Sequence, residues 1–250
     1  MPCAIAFTGE SGKDLGCING TVPSVQVIQG PPIALLAGMS PIESRVALSA
    51  ATQFSFASNE TILLEGHPAN YLILIETGRV KLSRTGRDGS EVILRICGPG
   101  EIVDVYAERG YSHHTCSARA MTHCRVLIWD SKQASALGIL FPQIRTNLAR
   151  ILANRLDELE ERFCEIATGN CGQRLARTLL RFGEPVGRAN RDGARVVLSR
   201  TELAQMIGVT IFTISRTLSK WAETGIVSLR HNAIIVHRPG ELKTLIGHGL

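Results

Sequence analysis

The spacing of apolar residues changes character three times along the chain. Residues 1–30 mix Gly, Ser, Pro and short apolar pieces with no sustained period, which predicts an arm without regular structure. Ile42, Val46, Ala47 and Ala50 then fall at helical spacing and predict a short helix over 41–51. From Gln53 to Asp130 the texture is of short runs rich in Ile, Val and Leu: Thr61–Leu64, Tyr71–Glu76, Arg79–Arg84, Glu91–Ile96, Thr115–Ala120 and Arg125–Trp129. Glu65-Gly66, Thr77-Gly78, Arg87-Asp88-Gly89 and Gly98-Pro99-Gly100 punctuate them. Many short strands with regular turn signals predict a β-sandwich or jelly-roll barrel.

After Pro142 the period becomes that of a long helix. Ala149, Leu152, Leu156, Leu159, Phe163 and Ile166 alternate spacings of three and four, and no Gly or Pro interrupts residues 143–168. Arg150, Arg155, Asp157, Glu158, Glu160, Glu161 and Arg162 occupy the other faces. Polar residues flanking a narrow apolar stripe are the pattern of a parallel two-stranded seam, so a homodimer helix is expected. Thr168-Gly169-Asn170 ends the helix and marks a hinge.

The last third predicts a compact alternation of elements. Gln173–Phe182 reads as a helix and Val196–Leu198 as a short strand. Ser199 with Glu202 three residues on forms a capping box that starts a helix through Met206. Gly208 supplies the turn, and Thr210 caps a second helix running to about Glu223. That helix is expected to bury Ile211, Ile214, Leu218 and Trp221 and to show Phe212, Thr213, Ser215, Arg216, Ser219 and Lys220. Gly225 ends it, and Ile226–Leu229 with Ile234–Val236 make a hairpin around Arg230-His231-Asn232. Helix, turn, helix and hairpin describe a winged helix-turn-helix, whose second helix enters the major groove of double-stranded DNA.

Charge sharpens that expectation. The net charge of +5 conceals 15 basic against 17 acidic residues in 1–168, and 12 against 5 in 169–250. The basic back third is expected to meet a polyanion. Arg216 can donate twice to guanine O6 and N7, and Ser215 can reach a base or a phosphate. Phe212 is the third candidate for base contact. Ser199, Arg200, Thr210, Thr213, Lys220, Arg230 and His231 suit phosphate contacts, which position a protein without reading sequence. No continuous apolar stretch reaches the length of a membrane span, and no secretion signal opens the chain. A cytoplasmic protein whose seven cysteines are reduced thiols or ligands, not a disulfide framework, is therefore expected. No Ser-His-Asp order, phosphate loop or carboxylate pair stands in a supporting motif, so an enzyme is not expected.

Residues 198–210 (LSRTELAQMIGVT), followed by Thr213-Ile214-Ser215-Arg216 and the helix end at 221–227 (WAETGIV), resemble the Crp/Fnr family of bacterial transcription regulators. Glu65-Gly66, the Leu72, Ile75, Gly78, Val80 spacing, Gly89 and Pro99-Gly100-Glu101 resemble that family's cyclic-nucleotide-binding β-roll. The resemblance covers about residues 40–245. It implies an α+β protein with a flexible arm (1–30), a jelly-roll or β-roll sensor domain (31–140), a dimerisation helix (141–168) and a winged helix-turn-helix domain (169–250). It further implies a homodimer on a pseudo-palindromic site, contact with RNA polymerase, and switching by an effector or a redox or gas signal. Effector-independent regulation, a cyclic-nucleotide response and a metal- or haem-binding sensor module are the alternatives.

Two departures from the family pattern bear on function. Phe212 stands where the family usually has a Glu that reads cytosine; a phenyl ring can instead contact a thymine methyl, so a different half-site is expected at that position. Val105 falls near the family's ribose-binding Glu, and His114-Thr115 at its phosphate-binding Arg-Ser. Neither Val105 nor a neutral His114 replaces the group it stands for, which disfavours cyclic AMP, with Arg109 or Arg119 as substitutes. Gly110–His114 looks like the oxygen-sensing Fnr branch, yet Cys3 and Cys17 are too sparse for that branch's N-terminal cluster, although Cys124 sits close to its roll cysteine. Cys97, His113, His114, Cys116, His123 and Cys124 form the remaining constellation, five of the six within twelve residues. Such side chains ligate zinc, iron–sulfur clusters or haem, while buried cysteines also serve as small apolar residues. The cofactor is thus left open between haem, an iron–sulfur cluster and none.

Overall fold

A computed structural model describes residues 32–103, 113–185, 193–230 and 233–247. The arm over 1–30, together with Val105, Arg109 and His231, lies outside them. The chain divides into two compact units between Arg155 and Leu156.

In the first unit, helix α1 (Pro41–Ser49) starts in a capping box: Ser40 accepts from the Glu43 amide, and Glu43 accepts from the Ser40 amide at 2.7 Å. The Ser40 amide, and after it the Ser40 hydroxyl, hold the Glu43 carboxyl below the usual carboxylate range. Seven strands follow: β1 (Thr52–Phe56), β2 (Thr61–Leu63), β3 (Tyr71–Thr77), β4 (Val80–Thr85), β5 (Glu91–Cys97), β6 (Ser117–Ala120) and β7 (Cys124–Asp130). They form a three-stranded sheet, β1-β7-β3, and a four-stranded sheet, β2-β6-β4-β5. Phe56, Ile73, Ile75, Val126 and Ile128 of the first meet Ile62, Val80, Leu82, Cys97, Ala118 and Ala120 of the second in one core.

The continuous apolar run of β3 has a direct cause. Ile73 and Ile75 face the other sheet, while Leu72 and Leu74 face a second core containing Leu35, Ala47, Trp129, Leu137 and Ile144. A strand buried on both faces shows no polar alternation. Trp129 satisfies its indole N–H on the Ala47 carbonyl at 2.9 Å. The turn at Gly78 (φ +90°) permits no side chain, since a Cβ there would lie 2.5 Å from the His123 carbonyl oxygen.

Helix α2 (Ser131–Leu140), which the apolar spacing did not predict, begins in a capping box between Asp130 and Gln133. Helix α3 (Pro142–Thr168) is one continuous element that runs through the division of the units. Its Asn147 is fully buried and donates to the carbonyls of Leu35 and Ala37, tying the preceding short 3-10 turn (Ala34–Leu36) to the helix. Arg155, expected on a solvated face, donates to the Ile102 carbonyl.

The second unit contains the end of α3, helices α4 (Cys171–Arg181), α5 (Arg200–Ile207), α6 (Ile211–Glu223) and α7 (Pro239–Gly247), and the sheet β10-β11-β9-β8. Its strands are β8 (Glu184–Pro185), β9 (Ala194–Val196), β10 (Val227–Arg230) and β11 (Ala233–Val236). Strand β9 begins and ends two residues earlier than the sequence predicts, in register with β11. The corner after Thr168 is held rather than loose: Arg181 pairs with Glu165 at 3.0 Å, and Arg174 donates to the Ile166 carbonyl. Among the described residues no helix is long and apolar enough to cross a membrane.

Candidate nucleic-acid interface

Helix α5 starts where Ser199 accepts from the Glu202 amide at 3.1 Å and Glu202 accepts from the Ser199 amide at 2.7 Å. It stops at Gly208, whose φ of +69° makes the left-handed cap. Two residues on, Thr210 accepts from the Thr213 amide at 3.2 Å and so fixes the first turn of α6. Both helix starts follow from residues within three positions of each other.

Ile214, Leu218 and Trp221 are buried along the side of α6 that packs into the unit. Ile211 departs from the expected pattern. It is 41% exposed, because at the first turn of α6 the apolar stripe has run past the core. Phe212 beside it is 81% exposed. Thr213 and Ser215 are half-buried, and Arg216, Ser219 and Lys220 are exposed.

The hydroxyls expected at phosphates are partly engaged. Ser199 donates to Glu202 Oε2 at 2.8 Å, and the Thr210 and Thr213 hydroxyls lie 2.9 Å apart in one hydrogen bond. Arg200 and Arg230 are exposed, like Arg216 and Lys220, and no ion pair among the described residues holds any of the four. Arg177, Arg181 and Arg238 are instead paired with Glu165 or Glu241. A cleft of about 620 Å³ between the first turn of α4, α6 and α7 takes Arg216, Lys220 and Asn170 into its wall. Among the described residues, α6, the start of α5 and the end of β10 therefore present cations without carboxylate partners.

The candidate sensor residues of the roll are not gathered in the same way. The alternation of β6 puts Ala118 and Ala120 in the core between the sheets. Arg119 falls on the opposite face, where it donates to Asn59 at 3.4 Å. His114 is buried and its amide donates to the His67 carbonyl, while Thr115 and His113 are exposed.

The six Cys and His residues do not converge. Cys97 and Cys124 are fully buried in the core between the sheets, Cys116 packs against it, and His123 is exposed. Among the described residues no three Cys, His, Asp or Glu side chains are placed to share a metal ion. Burial, with Glu101 adding to it, pushes the Cys97 thiol up to about 11, which suits a packing residue and not a reactive thiolate.

A β-roll in one unit and a winged helix-turn-helix with an open basic face in the other define a two-domain DNA-binding regulator. The comparisons agree: residues 53–137 match the cyclic nucleotide-binding domain and residues 173–245 the Crp-like helix-turn-helix domain. The chain belongs to the Crp/Fnr family of transcription regulators. It is 27% identical to the CRP-like cAMP-activated global transcriptional regulator of Mycobacterium tuberculosis, over 72% of this chain and 82% of that protein. With the cyclic AMP receptor protein of Thermus thermophilus it shares 28% identity over 87% of this chain and 98% of that one. Among solved structures, FixK2 from Bradyrhizobium japonicum superposes with a TM-score of 0.68 at 25% identity, covering 78% of this chain and 96% of that chain. The c-di-GMP responsive regulator CLP of Xanthomonas campestris gives 0.71 at 20% identity, over 79% and 99%, a likeness of fold.

Proposed function

We propose that the protein acts as a homodimer that lays the start of α6 in the major groove of a pseudo-palindromic site. Arg216 reads a guanine, Ser215 and Phe212 meet neighbouring bases, and Ser199, Arg200, Thr210, Thr213, Lys220, Arg230 and His231 hold the backbone. The observation that carries this reading is the set of exposed cations, without carboxylate partners among the described residues, on the capped helix α6 (Arg216, Lys220), at the start of α5 (Arg200) and at the end of β10 (Arg230). The dimer seam is the exposed stripe Leu152, Leu156, Leu159, Phe163 and Ile166 of α3, which an isolated chain leaves in water. Contact with RNA polymerase and a cytoplasmic location belong to the same reading.

The roll is the sensor in this proposal, and an effector works by binding one arrangement of the dimer more tightly than the other. Relatives named for cyclic AMP and the match to the cyclic nucleotide-binding domain favour a cyclic-nucleotide response as a second reading. Against it, a buried His114 beside Thr115 offers no guanidinium for a cyclic phosphate. Titration calorimetry of the full chain with cyclic AMP decides between them; saturable binding at micromolar concentration returns the second reading to first place.

The DNA role is tested by selection from a random duplex library, followed by binding to the recovered duplex across a salt series. A specific complex whose affinity falls steeply with salt is expected. Weak binding that is equal on all sequences refutes the role.

A further inference from the structure

The apolar pair at the start of α6 is incompletely covered by its own unit. Phe212 is 81% exposed, and Ile211, although in phase with the buried stripe Ile214, Leu218 and Trp221, is also exposed. They lead a helix whose first turn is fixed by the Thr210 cap and whose outer face continues into Arg216 and Lys220 with no acidic neighbour before Glu223. A partner suited to this face must be anionic overall and yet present a small apolar group where the helix begins. The floor of the DNA major groove has one such group, the C5-methyl of thymine.

From this juxtaposition we infer that Ile211 and Phe212 form an apolar prow that reads a pyrimidine C5-methyl, making methyl contact a determinant of the half-site. The inference rests on the DNA-binding role proposed above and deepens it. Phe212 and Arg216 are four residues apart, hence on one face and about 6 Å apart along the axis. Successive base pairs rise about 3.4 Å. The methyl therefore lies within about two base pairs of the guanine that Arg216 reads. Neither Ile211 nor Phe212 offers a side-chain hydrogen bond, so the half-site combines one hydrogen-bonded purine with one pyrimidine recognised by shape and burial alone.

Replacing thymine by deoxyuridine removes the methyl and leaves every base-pairing and hydrogen-bonding group in place. The probe is the duplex recovered from a random library by the wild-type full chain, carrying one dT-to-dU substitution at a time. Because burying one methyl group is equivalent to about a fourfold change in a binding constant, about a fourfold loss per half-site is expected at the thymine near the Arg216 guanine. Substituting that thymine·adenine pair by 5-methylcytosine·guanine should bind about fourfold tighter than unmethylated cytosine·guanine. The double variant Ile211→Ala/Phe212→Ala, altered only at exposed positions, should bind the dT and dU duplexes equally, and Phe212→Glu should shift the preference at that position toward cytosine. A wild-type protein that binds its selected duplex equally well with dU at every position overturns the inference while leaving the DNA role intact. So does a double variant that keeps the dT preference. Failure to recover any duplex overturns the DNA role, and the inference with it.

Discussion

Asn147→Leu isolates one buried polar anchor. The amide of Asn147 is fully buried and donates to the Leu35 carbonyl at 2.8 Å and the Ala37 carbonyl at 2.9 Å, more than a hundred residues earlier in the chain. Its oxygen accepts from Gln143 at 3.1 Å and Arg150 at 2.9 Å. Leucine has the same branched skeleton and is somewhat bulkier, so no cavity enters the account. The Leu35 carbonyl loses its donor in a buried place, at about 1–3 kcal/mol, while the partly buried Ala37 carbonyl loses a bond of net worth about 1 kcal/mol. The first unit should lose about 2–4 kcal/mol, and its unfolding midpoint should fall by about 5–15 °C.

The assay uses the two tryptophans of the chain, which report the two units separately. Trp129 is buried in the first and Trp221 lies on α6 in the second. In a Trp221→Phe background the fluorescence transition belongs to the first unit. Asn147→Asp, which keeps the acceptor for Gln143 and Arg150 but offers no donor when ionised, should be at least as damaging at neutral pH. A midpoint within about 1 °C of the parent for Asn147→Leu would show that neither carbonyl depends on the amide, and the anchoring argument would fall.

Three further outcomes follow from the site and the seam. Arg216→Ala should weaken the selected duplex by about 1–3 kcal/mol and abolish preference at one base pair, whereas Lys220→Ala should weaken all sequences alike and lower the salt slope by about one; band-shift titrations across salt concentrations check both, and a sequence-uniform loss for Arg216 refutes base reading. Phe163→Glu places like charges across the proposed seam, so sedimentation should show half the mass with an unchanged far-ultraviolet spectrum; a dimer of full mass refutes the seam. For Cys97, a folded value of about 11 against an ordinary 9.0 means that the neutral thiol is the form favoured by folding. Its contribution is complete below pH about 9, falls by about 1.4 kcal/mol per pH unit as the unfolded thiol ionises, and is gone by pH about 11. The stability gap between wild type and Cys97→Ala should narrow through that window, and a gap that stays level shows the thiol to be solvated.

The contrast between Ser199 and Asn147 explains what the sequence could disclose. A cap is made by residues three apart, so Ser199-Glu202 and Thr210 announce their helices without knowledge of the rest of the fold. Asn147 looks like one polar residue among several on a long amphipathic helix, because its partners at Leu35 and Ala37 enter only when the chain closes on itself. Ile211 was misplaced for a related reason. Periodicity gives the direction in which a side chain points, but not how far the neighbouring core extends along the helix.

Charge shows the same limit in a form that bears on function. The count of 12 basic against 5 acidic residues in the last third describes an even halo. In the folded unit Arg177, Arg181 and Arg238 are drawn to Glu165 and Glu241, while Arg174, Arg195, Arg200, Arg216, Lys220, Arg230 and Lys243 have no carboxylate partner among the described residues. Part of that excess, Arg216 and Lys220, lies on α6, the helix at whose first turn Ile211 and Phe212 stand clear of the core. A solvated basic surface has no reason to combine cations and exposed apolar side chains on one helix. A groove lined by phosphates and floored by methyl groups supplies that reason, and it makes affinity depend on salt while making specificity depend on the few side chains that reach the base edges.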